Sequence, residues 1–387
     1  MDTDEGDLRC VTFNEDFTSL AVGRNCGYSL YSLHDAVNTL TVIFNDSVYE
    51  DVVIAEHLYS SALVLVVNRQ SPRKLRVHNF AKGEEMGIYS YSNNILAVKL
   101  NLSLVVVTLE ESIHVHNIRT MKELYTVKNM ARNPHGLVTL SSSDASFLIY
   151  PTSSTSGQVD VFDAVNLRVV QSITAHDSPL AAISLNSNGD LLATASNKGT
   201  VIRVFSLPSG DRLFEFCRGI TRCAKIHSLA FSLDSSYLCS SSNTQTVHIF
   251  KLPSVNVRKQ YASEENAASN GYTAWMDYFS RAAAHYLPSQ MSKILQRESS
   301  FATARLPIRS SFSAIALTNA NGQLQLLVAS MDGFLYCYSV SSSGGECRLV
   351  KHHDLRIALA RTSAASAHRL QEDSSLHVNE FAEFPPI

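Results

Sequence analysis

Apolar and polar positions alternate along most of this chain, in short runs separated by Asn, Gly, Ser and Asp. A period of two is the signature of strands, because successive side chains leave a strand on opposite faces. AAISLNSNGD leads into LLATASNKGT and then VIRVFSL, three such runs in succession, rich in β-branched and aromatic residues and bounded by turn formers. One short pattern recurs at the end of such triplets: an apolar residue, a ring, a polar residue, an apolar residue. It reads LYSL ending at Leu33, VHNF at Phe80, VHNI at Ile118, VFDA at Ala164, VFSL at Leu207, IFKL at Leu252 and CYSV at Val340. Its rings are Tyr31, His78, His116, Phe162, Phe205, Phe250 and Tyr338. Most of the intervals between them are roughly 40–45 residues, the length of a four-stranded propeller blade. The last is about two such periods, and its excess falls in a non-repeating segment, Pro253 to Ser300.

Seven occurrences predict an all-β chain folded as one seven-bladed β-propeller of WD-repeat type, a ring that leaves few sheet edges open. The expected layout is an N-terminal tail over 1–7, the propeller over 8–354, and a polar, flexible tail over 355–387. Within blade six, residues 253–300 form an insertion. Neither the GH nor the WD dipeptide of common WD repeats occurs, so periodicity alone carries the fold prediction.

Composition narrows the chemistry. The 387 residues are 45% hydrophobic and 17% charged, which suits a sizeable core. A net charge of −3 gives no general attraction for nucleic acid, so any anion site must be a local cluster. The longest apolar run, Ala62 to Val67, is too short to span a bilayer, and MDTDEGDL at the start carries no apolar signal core. Seven cysteines, an odd number without C-x-x-C spacing, fit reduced thiols and a cytosolic setting.

Two blades resemble one another more closely than the rest. LLATASNKGTVIRVFSLP, Leu191 to Pro208, aligns with YLCSSSNTQTVHIFKLP, Tyr237 to Pro253, with one deletion. Thr194, Ser196, Thr200 and Arg203 in the first are expected to match Ser240, Ser242, Thr246 and His248 in the second. Arg203 and His248 each stand two residues before their blade's ring. Between the two blades lies FEFCRGITRC, Phe214 to Cys223, with Arg218 and Gly219 at a turn. Hydroxyls, turn amides and a guanidinium suit a phosphate, which is bound by many neutral donors and few full charges. Any single Ser or Thr here also fits ordinary turn chemistry; duplication of the whole set beside Arg218 is what points to anion sites.

These stretches, together with AHDSPLAAI, LFEFCRG, YLPSQ, FATARLP and GGECRLV, resemble the PROPPIN (WIPI) family of autophagy propellers. The resemblance runs from SLAVG near the N-terminus to EFPPI at the end. It implies binding of phosphatidylinositol 3-phosphate and the 3,5-bisphosphate through two pockets. His176, Thr194, Ser196, Gly199, Thr200 and Arg203 are then expected to line the first. Arg218, Gly219, Ser242, Thr246 and His248 are expected to line the second. The family signature reads Phe-Arg-Arg-Gly, and its first arginine, which serves the first pocket, is here Cys217. The resemblance also implies peripheral binding to phagophore and endosomal membranes, and partners in the autophagy conjugation machinery or a lipid-transfer protein. The alternative is a protein-interaction scaffold whose lipid pockets have decayed.

The insertion contains YTAWMDYFSRAAAHYLP, Tyr272 to Pro288. On a helix, Tyr272, Trp275, Phe279 and Tyr286 share one face with Met276 beside them, while Asp277 and Arg281 lie opposite. Such a face suits the headgroup boundary of a bilayer, and the family resemblance implies that this loop enters the membrane.

No enzyme chemistry is expected. His176, Asp177 and Ser178 hold the residue types of a hydrolase triad, but adjacent turn residues cannot converge as one. His114 and His116 alternate like metal ligands, yet His116 occupies a ring position, where packing is expected instead. Neither a glycine loop for phosphates nor a metal-binding carboxylate motif is present, so no cofactor or metal is expected.

Overall fold

The computed structural model describes residues 8–144, 146–218, 223–253, 300–320 and 322–356, and every regular element among them is a strand. The strands group into seven sheets, the seven blades of a propeller. Blade one comprises β1 (Leu8–Phe13), β2 (Ser19–Arg24), β3 (Cys26–Ser32) and β4 (Thr41–Glu50), paired antiparallel in chain order. The next three blades repeat this order, from β5 (Val52–His57) through β16 (Arg168–His176). Blade five is β17 (Leu180–Leu185), β18 (Leu191–Ser196), β19 (Val201–Ser206) and β20 (Arg212–Cys217). Blade six is β21 (Ile226–Phe231), β22 (Tyr237–Ser242), β23 (Thr246–Lys251) and β24 (Ala302–Arg305). Blade seven holds β25 (Ser313–Ala320), β26 (Gln323–Ser330), β27 (Phe334–Ser339) and β29 (Arg348–Asp354), and its short β28 (Gly345–Glu346) pairs in parallel with β24 of blade six.

The ring residues of the repeat all lie on third strands and all are buried, from Phe250 with no exposure to His78 and His116 at 5%. Burial of both faces follows from the ring: each blade packs one face on the blade before it and the other on the blade after. Blade five shows the division clearly. Ala193, Ala195, Ile202, Val204, Phe214 and Phe216 pack toward blade six, with Phe216 stacked 4.8 Å from Phe250. Leu192 and Phe205, one position out of phase, pack toward Ile173 and Ala175 of blade four. This alternation decides which polar residues share a site.

Every blade draws its four strands from one continuous stretch, so first and last blades share no strand. Side chains close the ring instead: Leu20, Val22 and Tyr31 of blade one pack with Leu327, Leu335 and Cys337 of blade seven. Leu355, which the sequence reading assigns to the tail, is fully buried in this seam and belongs with the ring. Arg24, 2% exposed, donates from Nη2 and Nε to the Leu355 carbonyl at 2.6 and 3.1 Å, and to the hydroxyls of Tyr31 and Ser29. Its partners are neutral, yet each is a strong bond because the donor is charged. Arg24→Met should therefore lower unfolding free energy by about 1.5–3 kcal/mol, read as a reduced urea midpoint at unchanged slope.

Candidate functional site

The two sites expected from the duplicated blades occupy successive blade interfaces and share one construction. In the first, Thr194 on β18 stands opposite Arg203 on β19, and Arg203 stands opposite Glu215 on β20. In the second, Ser240 on β22 stands opposite His248 on β23, which stands opposite Thr303 on β24. Each row faces the preceding blade, by the same alternation that turns Phe205 and Phe250 that way. A residue from the end of that preceding blade completes each site.

For the first site this residue is His176, at the end of β16, whose Nε2 lies 3.0 Å from Thr194 Oγ1 across the interface. Burial, with Arg203 nearby, lowers the His176 pKa to about 4, so the imidazole is neutral near pH 7. Thr194 and Ser196 are buried beside it. Arg203 supplies the cation, but its Nε is held 2.9 Å from Glu215 Oε2 and its Nη1 2.7 Å from the Ala175 carbonyl. Gly199 turns the chain with φ +59°, where a side chain is strained, and a Cβ there would collide with the Ala224 carbonyl oxygen. That contact ties the β18–β19 turn to the segment entering blade six.

The second site is built around Arg218, which follows β20. Its amide donates to the Thr200 carbonyl at 3.0 Å, fixing the backbone beside the first site. Its side chain goes the other way. Nη2 reaches Ser242 Oγ at 3.0 Å and Thr244 Oγ1 at 2.6 Å in blade six. Burial lowers the pKa of Arg218, and the partners shown for its guanidinium are hydroxyls. His248 is also neutral near pH 7, its pKa lowered to about 4 by burial and by Arg218. Among the described residues, Arg218 Nε, Ser240 Oγ and His248 Nδ1 are buried without a hydrogen-bond partner. Buried polar atoms are nearly always paired, so three unpaired ones at one interface, one of them in the guanidinium itself, have the chemistry of a receptor for an anion.

Cys217 and Arg218 are adjacent and so point to opposite faces. Cys217 shares its face with Glu215, toward Arg203 and blade four, while Arg218 serves blade six. Cys217, where the family resemblance leads one to expect a first-pocket arginine, is thus a half-buried thiol.

The structure also amends the expected residue sets. Thr246 shares a face with His248 on β23, two positions before it. Thr200 lies just outside β19, three positions before Arg203, so Thr200 and Thr246 are not register equivalents. Thr244 binds Arg218 directly and was not anticipated. Nor was Arg305, which stands opposite Thr246 and next-but-one to Thr303, adding an exposed cation to the second row. Counting strand parity from FATARLP would have found Arg305. Lys225 is exposed, and burial together with the charge of Lys225 lowers the pKa of nearby His227 to about 4. Gly219 and Arg222 lie outside the described residues, as do Tyr272, Trp275, Met276, Phe279 and Tyr286 of the expected helix.

His114 and His116 have structural partners. His116 bonds the Tyr91 hydroxyl and the Met121 carbonyl, and His114 lies against Glu123. Among the described residues no group of His, Cys, Asp and Glu could hold a metal ion, and no helix is long and apolar enough to cross a membrane.

The chain is similar to known proteins over most of its length. A family model described as PROPPIN matches residues 7–356. The WD repeat domain phosphoinositide-interacting protein 2 of Gallus gallus is 49% identical over 92% of this chain and 80% of its own length. The human WD repeat domain phosphoinositide-interacting protein 1 is 43% identical over 98% of this chain and 87% of its own. Autophagy-related protein 18 of Caenorhabditis elegans is 36% identical, covering 98% and 96%. Among solved structures, Kluyveromyces lactis Hsv2 with complete loop 6CD superimposes with a TM-score of 0.70 at 19% identity, over 90% of this chain and 99% of that one. A complex of KlAtg21 with the coiled-coil of AgAtg16 gives 0.69 at 24%, with the same coverage. At those identities the two structures speak for the fold.

Proposed function

This chain belongs to the PROPPIN family, and from that premise we propose that it is a phosphoinositide-binding module of autophagy, held at membranes peripherally by 3-phosphorylated inositides. The observation that carries the reading is the second site. There a guanidinium oriented by two hydroxyls has its own Nε unpaired and lies beside an unpaired buried hydroxyl and imidazole nitrogen, a set that suits a phosphate monoester. The first site is the weaker partner, because Cys217 supplies neither charge nor a strong donor. The ligands are phosphatidylinositol 3-phosphate and the 3,5-bisphosphate, and the membranes are phagophore and endosomal. The module is a binder and not a catalyst. Relatives named for phosphoinositide interaction and autophagy, and a similar propeller captured with an Atg16 coiled-coil, support this assignment and a partner in the conjugation machinery. A lipid-transfer protein is the other partner the family suggests.

Co-sedimentation with liposomes tests the reading. The protein should pellet with vesicles containing phosphatidylinositol 3-phosphate and stay in solution with phosphatidylcholine alone. Equal behaviour with both vesicles would favour a protein-interaction scaffold with decayed pockets. Cys217→Arg should increase recruitment, since a second engaged headgroup adds avidity, and should leave the melting temperature unchanged at this half-buried position. Unchanged recruitment would remove Cys217 as the source of the difference between the sites.

A further inference from the structure

We infer that Glu215 sets the affinity of the first site by competing with an incoming phosphate for the Arg203 guanidinium. The inference rests on the functional reading above and adds a residue that the family motif did not single out. Glu215 Oε2 lies 2.9 Å from Arg203 Nε and 3.2 Å from Arg212 Nη1, so this carboxylate sits where the site's main cation would meet an anion. A phosphate bonded to that guanidinium would stand within a few ångströms of a like charge. The side chains of Arg203 and Glu215 are each 22% exposed, so solvent screens the repulsion only in part.

The second site differs at this position. In its equivalent row, Thr303 occupies the register position of Glu215, a hydroxyl in place of a carboxylate. The residue opposite Thr303 is His248, and the cation of this site, Arg218, comes from the end of the preceding blade, held by Ser242 and Thr244. Hydroxyls can thus hold a guanidinium at one of these two interfaces. Arg203 has a second anchor of its own in the Ala175 carbonyl at 2.7 Å. What Glu215 contributes beyond anchoring is negative charge. Cys217, on the same face two residues on, offers nothing to offset it.

The test uses the full chain and calorimetric titration with soluble inositol 1,3-bisphosphate, the headgroup of phosphatidylinositol 3-phosphate. Arg218→Ala first silences the second site. Adding Glu215→Gln to that variant keeps an oxygen able to accept from Arg203 Nε but removes the charge. The double variant should bind roughly tenfold more tightly than Arg218→Ala alone, the scale of one charged hydrogen bond. No gain, or a loss, would overturn the inference and make Glu215 a positioning residue that holds Arg203 ready. The unmodified chain in the same titration tests the functional reading separately. No binding there overturns that reading. Binding there without a gain from Glu215→Gln overturns the inference alone.

Discussion

Arg218→Gln should remove most headgroup binding, lowering affinity by about ten- to a hundredfold, because a hydrogen bond to a charged group contributes about 1.5–3 kcal/mol. Arg218 is the guanidinium of the second site that reaches across to blade six, and Ser242 and Thr244 hold its Nη2 while Nε remains unpaired among the described residues. Gln keeps some hydrogen bonding to those hydroxyls but loses the charge and the fork. Arg218→Lys should recover only part of the binding, since an ammonium restores charge without planar, two-point recognition. Titration with soluble headgroup measures both. If all three proteins bind alike and melt together, Arg218 is a turn residue that ties two blades and nothing more.

The second large effect is expected from the insertion. Replacing Trp275 and Phe279 with Ser should reduce liposome recruitment severely and leave soluble headgroup binding unchanged. A single weak anchor holds a protein on a membrane only marginally, and two signals are needed for stable attachment. Each aromatic removed costs the burial of a large ring at the headgroup boundary. The segment links β23 to β24, the two strands that carry His248 and Thr303, so a membrane anchor there would lie in sequence next to the second site. Recruitment equal to that of the parent protein would mean that this segment faces protein and not lipid.

Much of the fold was legible because propeller burial is periodic. The ring of each third strand packs against a neighbouring blade, so Tyr31 through Tyr338 had to be bulky at a regular interval, and such a constraint shows in one sequence. The hydroxyls of the two sites were legible for a related reason. LLATAS and YLCSSS repeat because two successive blades solve one problem with one strand, and Thr194 and Ser240 do face Arg203 and His248. Residues that meet only through pairing register were not visible. Glu215 reads as one polar residue in FEFCRG until the pairing places it opposite Arg203. Thr303 and Arg305 are separated from His248 by the whole insertion, and only the β23–β24 register brings them beside it. The one-residue offset between Thr200 and Thr246 is of the same kind. Ring closure was hidden too: Arg24 and Leu355 lie at opposite ends of the chain, and no local pattern connects them.

The central claim is that two sites of one construction differ in strength, with the stronger built on Arg218. Calorimetric titration of the unmodified full chain with soluble inositol 1,3-bisphosphate tests it most directly. One tighter site per chain is expected, with a second site that binds at least tenfold more weakly or escapes detection. Two equal sites per chain, or no binding at all, would contradict it.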